Sequence, residues 1–521
     1  MSEKRMARKR NTITVTASFF AIIPFLPFHH AAAAATLTAA KQTPAVLANQ
    51  SVSVALATHA TIPSGQSVRV LSLSTSAAHG KVAGQTGTTI SYTPGSYYAS
   101  LAAGSSATDT FGYCLIDTAG ASSCSSVVVT IFGSAGTAPA TVSQQSATYS
   151  CLRNWYVSQN GSDSAGGASA STPWHTLQHA NDSGVLRAGD CVNLANGTYP
   201  VQNTVYLNHG GNANSSTGYI VYRSASPHGA KIKAAVTGIQ DVVAAQANYL
   251  ILDGLEVDGG NLGLTNTPFT FGSGIASYGH HFQALNNLVH DCGGEGIGAT
   301  YKDWYWIVGN TVYNNAHFNG GHMSGISIYE PRAVSYTATS ADTSATYHII
   351  IKNNSSHDNQ ETRVAGAHTD GNGIILDDFL NTQSGNAPYP YKTLVQGNTT
   401  YSNGARGVHV FYTDNVTVTG NVAFNNNLDT SVIGTWRGEL SNAYGSNNSW
   451  TNNQAAATSV STDDRRYNTA VLDGHSGPAS VNVIWSGNAN FDTRTGGKSY
   501  QIDDAARAAA FPASNPLGKA L

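Results

Sequence analysis

Charge is scarce in this chain. Asp, Glu, Lys and Arg make up 11% of its residues, against roughly 25% in typical soluble proteins. No basic stripe runs along it, which excludes nucleic acid as a partner. Long apolar runs are missing too: past residue 35 no segment could span a bilayer. No G-x-S-x-G elbow is present, so nothing marks a serine nucleophile.

Gly, Ser, Thr, Asn and Ala fill the place of charge, as suits a secreted all-β protein. With 41% hydrophobic residues the chain can still bury a core, and 521 residues require two or more units. The start "MSEKRMARKR" carries five basic residues and one acid, and "TVTASFFAIIPFLPF" and "HHAAAAATLTAA" follow. That order predicts a secretory signal over residues 1–35, too short and too proline-broken for an anchor. Its removal leaves 26 − 5 = 21 basic and 29 − 1 = 28 acidic residues, a balance of −7. An acidic polymer would then need a local Arg/Lys cluster or a bridging cation. Five cysteines fit an oxidising compartment. Cys114 and Cys124 flank "LIDTAGASS" and can pair across a hairpin, and Cys151 and Cys191 can staple the next unit. Cys292 is left as a buried small apolar residue.

Residues 41–133 read as short alternating strands with turns every 8–12 residues ("SVSVALATH", "SVRVLSLST", "TTISYTP", "SSVVVTIF"), a β-sandwich pattern. "TTISYTPGSYYAS…ATDTFGYCLIDTAGASSCSSVVVTI" resembles the cadherin-like and immunoglobulin-like modules of bacterial secreted proteins. Only Asp109 and Asp117 stand in for the calcium acids of cadherins, which points to a spacer or binding module. Residues 134–148 are a linker. From 149 to 510 the chain repeats. "NNLVHD", "GNTVYNN", "NNSSHDN", "GNTTYSN" and "GNVAFNN" bring Asn287, Asn310, Asn354, Asn398 and Asn421 into register at spacings of 23, 44, 44 and 23. A period near 23, doubled where loops are inserted, predicts a stacked β-solenoid. Inward asparagines should hydrogen-bond along the stack. His290, Tyr313, His357, Tyr401 and Phe424, three residues on, should stack as rings. The tail "DDAARAAAFPASNPLGKAL" reads as a helix capping the open end.

These features resemble right-handed parallel β-helix proteins of the pectate-lyase-like superfamily. The segment "WYVSQNGSDSAGGASASTPWHTLQHANDSGVLRAGDCVNLANGTYP" strengthens the likeness. It is similar to the opening of many secreted carbohydrate-active β-helix enzymes, polysaccharide lyase family nine among them. The resemblance implies an all-β fold, a right-handed parallel β-helix behind an immunoglobulin-like sandwich. It further implies a secreted monomer, extracellular or periplasmic, acting on an extracellular polysaccharide. The chain departs from family nine in splitting its acids by "GNGIIL" and in lacking a lysine at neighbouring strand positions, so no catalytic lysine carries over.

The repeat also predicts a shared face. "SGIASY", "EGIGAT", "SGISIY", "NGIILD", "RGVHVF" and "RGELSN" (437–442) align, and alternation turns their fourth and sixth positions to solvent. Coils lie about 4.8 Å apart, so Glu330, the Asp377–Asp378 pair and His409 come from three successive coils. Three readings of that groove follow, the lyase first, the hydrolase second and the binding solenoid third. A uronate-cleaving lyase would hold Ca2+ on Asp370, Asp377 and Asp378, with Glu330 nearby, and use Lys302, Arg406 or His409 as the base. A glycoside hydrolase would use Glu330 with Asp377 or Asp378 as its carboxyl pair. A glycan-binding or adhesive solenoid would use none of them catalytically.

Overall fold

A computed structural model describes residues 36–132 and 149–502, apart from 43, 49–50, 58–59, 76–78, 100, 102–105, 214–216, 237, 261–271, 319–320, 322, 335–346, 362–367, 430, 433–436, 458–467, 475–479 and 493–499. The expected signal, linker and C-terminal capping helix lie outside the described residues.

Each coil is set by a dipeptide. In Asn286–Asn287, Gly309–Asn310, Asn353–Asn354, Gly397–Asn398 and Gly420–Asn421 the first residue has φ of 54°, 72°, 54°, 64° and 64°. Gly and Asn enter this left-handed region at little cost, and there it turns the chain from one strand to the next. The following Asn points inward and saturates its amide. Asn354 Nδ2 donates to the Ile307 carbonyl at 2.8 Å and to Asn398 Oδ1 at 2.9 Å. Its Oδ1 accepts from the backbone N–H and the Nδ2 of Asn310, both at 2.9 Å. The ladder continues through Asn453 to Asn488.

A second ladder, absent from the sequence reading, runs through Asn315, Asn359, Asn403 and Asn426. Cys292 opens it by donating its backbone N–H to Asn315 Oδ1. The buried Glu439 closes it, accepting from the N–H and Nδ2 of Asn426.

Between these corners, three parallel sheets of 10, 10 and 11 strands run the length of a right-handed β-helix. Its core is a stack of Val, Ile and Leu, such as Ile297, Ile326, Ile374 and Val408. The helix Leu177–Asp182, capped by the Thr176 hydroxyl, places Leu177 and Ala180 in that core at the first coil. The aromatic column stacks as expected. Ring centroids from His290 through Tyr313, His357 and Tyr401 to Phe424 are 5.0, 5.2, 4.5 and 5.2 Å apart, within 10° of parallel.

The N-terminal sandwich has a four-stranded and a three-stranded sheet. Cys114 faces Cys124 across its long hairpin and the two are bonded, as are Cys151 and Cys191. Cys292 is free and buried. The sandwich core continues onto the β-helix through Tyr401, Val422 and Phe424, so the column's end is covered by the module.

One register expectation fails. Val408 pairs with Leu440 and His409 with Ser441, not with the residues one position earlier. Glu439 is the cause: it takes the register position that Gly407 holds on the preceding coil, and its side chain turns inward to end the second ladder. Leu440 therefore joins the core and Ser441 faces out.

Replacing Asn354 with Ala strands the Asn310 N–H, one N–H of the Asn310 side chain and the Ile307 carbonyl, while Asn398 Oδ1 keeps the backbone N–H of residue 354. At about 1–3 kcal/mol per buried unpaired group, the unfolding free energy should fall by roughly 2–4 kcal/mol, read from urea denaturation. A loss below roughly 0.5 kcal/mol would deny the ladder its role.

Candidate functional site

The second sheet provides a floor. Ala276, Gly298, Ser327, Ile375, His409 and Ser441 occupy one register position on successive coils and alternate with core residues, so they face out. Two residues further along, Thr300, Tyr329, Asp377 and Phe411 form one edge. Asp241, paired with Ser273, lies at the other edge with Glu295 and Arg406. Together, Ser441 excepted, they line a cavity of about 830 Å³. Gln383, from the insertion after Asp378, contributes to its wall and meets the Tyr329 hydroxyl at 3.5 Å.

Carboxyl groups dominate this cavity. Gly298 has no side chain, and a Cβ there would lie 1.5 Å from Glu295 Oε2. The Glu295 carboxyl therefore crosses the floor of its own strand. Burial, with the charges of Asp241 and Asp370, pushes its pKa up to about 8, against a hydrogen bond from Ser327. Burial likewise lifts Asp241 to about 6, although the Tyr278 hydroxyl donates to it at 3.0 Å. Asp377 is raised well above the usual carboxylate range by burial and by Asp370 and its acidic neighbours. Its Oδ1 is enclosed and accepts no hydrogen bond.

Asp370 sits differently. It accepts from the Thr369 hydroxyl at 2.9 Å and from Asn372 Nδ2 at 2.6 Å, close enough to Arg406 to feel its charge. Those donors fix the orientation of its carboxyl. Arg406 donates to the Thr369 carbonyl at 2.7 Å, and burial lowers its pKa to about 10, leaving it a cation at neutral pH. His409 shares a hydrogen bond with the Ser441 hydroxyl at 3.0 Å through Nδ1.

Of the residues singled out in the sequence, Asp370, Asp377, Arg406 and His409 line the cavity, while Lys302, Glu330 and Asp378 do not. The strand ends in left-handed turns, φ 42° at Glu330 and 53° at Asp378, and these swing both acids away. Glu330 accepts from the Ser384 N–H at 2.9 Å and pairs with Arg332 at 3.0 Å. Asp378 binds the N–H and hydroxyl of Thr382 and the N–H of Gln383. Both acids fold the insertion rather than meeting a substrate. Lys302 is exposed, beyond the left-handed Tyr301.

The proposed calcium set fails on the same ground. Both oxygens of Asp378 are taken by the turn, so Asp370, Asp377 and Asp378 do not converge. Among the described residues, only Asp258, His290 and Asp291 place three ligand atoms within 4.8 Å of one another. Those side chains are already paired. His290 meets Asp291 at 2.7 Å and Glu256 at 3.0 Å, and Lys233 meets Asp258 at 3.0 Å. Although burial opposes its charge, these acids raise His290 to about 9. That cluster anchors the aromatic column.

Sequence reasoning missed Asp241 and left Glu295 unassigned at a strand start. The available signal was Gly298: glycine inside a strand marks a close approach. The pairs Trp304–Trp306 and His280–His281 belong to packing. Trp304, Trp306, Ile350 and Leu394 form one buried cluster, and His281 stacks between Tyr249 and Trp304.

A bacterial Ig domain model matches residues 32–130. No curated protein matches the chain. Among solved structures, the chain is similar to the pectate lyase Pel9A at 15% identity and a TM-score of 0.37, covering 71% of this chain and 87% of that one. A rhamnogalacturonan lyase matches at 15% identity and 0.40, covering 68% and 86%. The A-module of the Azotobacter vinelandii mannuronan C-5 epimerase AlgE4 matches at 12% and 0.34, covering 62% and 93%. At these identities the likeness is one of fold and says nothing about reaction. Among the described residues no helix is long and apolar enough to cross a membrane.

Glu295 should leave a mark on stability. Its ordinary pKa is 4.5 and its folded one about 8, so the unfolded chain releases this proton first. Stability falls as pH rises across that window and levels off above it. Glu295→Gln removes that slope, so the variant's denaturation midpoint should gain on the wild type from about pH 4.5 to about 8. A difference constant with pH would contradict the raised pKa.

Proposed function

We propose that this protein is a secreted glycoside hydrolase that cleaves an extracellular polysaccharide in the groove of its β-helix. The observation that carries the reading is the Glu295 carboxyl, laid over Gly298 and protonated near neutral pH, in one cavity with Asp370, which accepts from Thr369 and Asn372. A carboxyl that holds its proton beside a second carboxyl is what glycosidic acid–base chemistry requires. Glu295 gives its proton to the leaving oxygen, and Asp370 activates water or attacks the sugar. Burial and the charges of Asp241 and Asp370 make Glu295 hold its proton until the transition state draws it away. Tyr301, Tyr329, Phe411, Tyr412 and Tyr444 offer ring faces to the C–H faces of sugars along the cavity. The two disulfides and the bacterial Ig module accord with an oxidising, extracytoplasmic setting.

A uronate lyase is the second reading, and Arg406 and His409 in the same cavity favour it. Arg406 would receive the substrate carboxylate and His409 would take the α-proton. No step here runs through calcium, because the acids do not converge on an ion.

New reducing ends without ultraviolet absorbance from an unsaturated product would establish hydrolysis, whereas the absorbance would establish the lyase. Glu295→Gln should lower kcat by about 10²–10⁴ with KM little changed. Gly298→Ala should act the same way by evicting the Glu295 carboxyl, whereas Lys302→Ala should leave the rate unchanged. A fully active Glu295→Gln variant would remove this assignment. A chelator should not slow the enzyme, and a chelator-sensitive rate restored by calcium would overturn the metal-independent reading.

A further inference from the structure

We infer that the groove takes a neutral glycan rather than a polyuronate, an inference that rests on reading the groove as a polysaccharide-cleaving site. Among the described residues, four carboxyl groups line the cavity, Asp241, Glu295, Asp370 and Asp377, against a single guanidinium, Arg406. That guanidinium is held by the protein on one side, while its Nε is buried without a hydrogen-bond partner. It donates to the Thr369 carbonyl at 2.7 Å and lies in the field of Asp370 and Glu361. No lysine lines the cavity, and His409 is its one other basic side chain.

Burial is the first cause of the raised proton affinities of Asp241, Glu295 and Asp377, and like charge adds to it at Glu295 and Asp377, so the cavity disfavours carboxylate anions where these side chains sit. A polyuronate laid across several coils would bring one more carboxylate for each sugar. Desolvating those carboxylates in the same cavity carries the same penalty. A bridging cation would relieve this, yet the groove acids do not gather three ligand atoms around one point. A chain with a formal net charge of −3 does not steer a polyanion inward either.

The rest of the lining suits uncharged sugars. Tyr412 and Tyr444 stack at 4.4 Å beside Phe411, whose ring centroid lies 4.7 Å from that of Tyr412. Tyr301 and Tyr329 meet edge-on at 5.6 Å on the neighbouring coils. The aromatic faces thus line the edge that carries Asp377, from the coil of Tyr301 to that of Tyr444. Carboxyl groups can accept or donate hydrogen bonds to sugar hydroxyls whichever proton they hold. A neutral pyranose satisfies both surfaces, and a uronate satisfies only the aromatic one.

The test uses the full chain carrying Glu295→Gln, so that binding is read without turnover. The variant is run by affinity electrophoresis at low salt through gels containing linear mannan, arabinoxylan, mixed-linkage β-glucan or galactan, and through gels containing polygalacturonate or alginate. At least one neutral polymer should retard it with a dissociation constant at least about tenfold below that for either polyuronate. Equal or tighter retention by a polyuronate, or no retention by any neutral polymer, would overturn the inference. Wild-type digests separate the two readings. Reducing ends from polygalacturonate or alginate alone would refute neutral specificity while leaving the acid–base chemistry standing. Retention by a neutral polymer that the wild type never cleaves would do the reverse.

Discussion

The structure depends on one saturated amide, repeated. Each ladder asparagine has two donors and two acceptor positions, and in the middle of the stack all four are used, as at Asn354. An apolar side chain there would leave neighbouring backbone groups buried and unpaired, and an aspartate would stack like charges in the core. The left-handed residue before it fixes where the chain turns. Together these lock coil to coil without slippage. Everything on the outer faces inherits that registration, including the groove floor and the aromatic column.

Because the lock is written into short dipeptides, the fold is legible in the sequence. Gly-Asn and Asn-Asn mark the turn and the ladder at once, and the ring column follows three residues later. The repeat becomes invisible upstream because the ladder itself stops there. The N–H of Leu255 donates to Asn287 Oδ1, and position 255 carries no amide of its own. The coil bearing Asp241 therefore has no header to align on, and that acid went unread.

Alternation carried the site reading only as far as the strands run. Asp377 and His409 lie on strands and reach the cavity as their positions require. Glu330 and Asp378 come one residue later, where the backbone turns left-handed and period two no longer applies. Their acidity stabilises the fold of an insertion instead. Glu295 illustrates a different limit. Its position at a strand start is readable, but its reach across Gly298 is a matter of side-chain conformation, which pattern alone does not encode. Glu439, standing where the preceding coil has Gly407, likewise moves one strand's register without any change in composition.

The insertion 380–391, which gives the cavity Gln383, hangs on Glu330 and Asp378, both outside the cavity floor. Tyr389 ties its far end to the buried Asp303. Floor and wall are thus anchored by separate residues. A longer or differently shaped insertion would redraw the cavity's mouth while the acids beneath stay untouched.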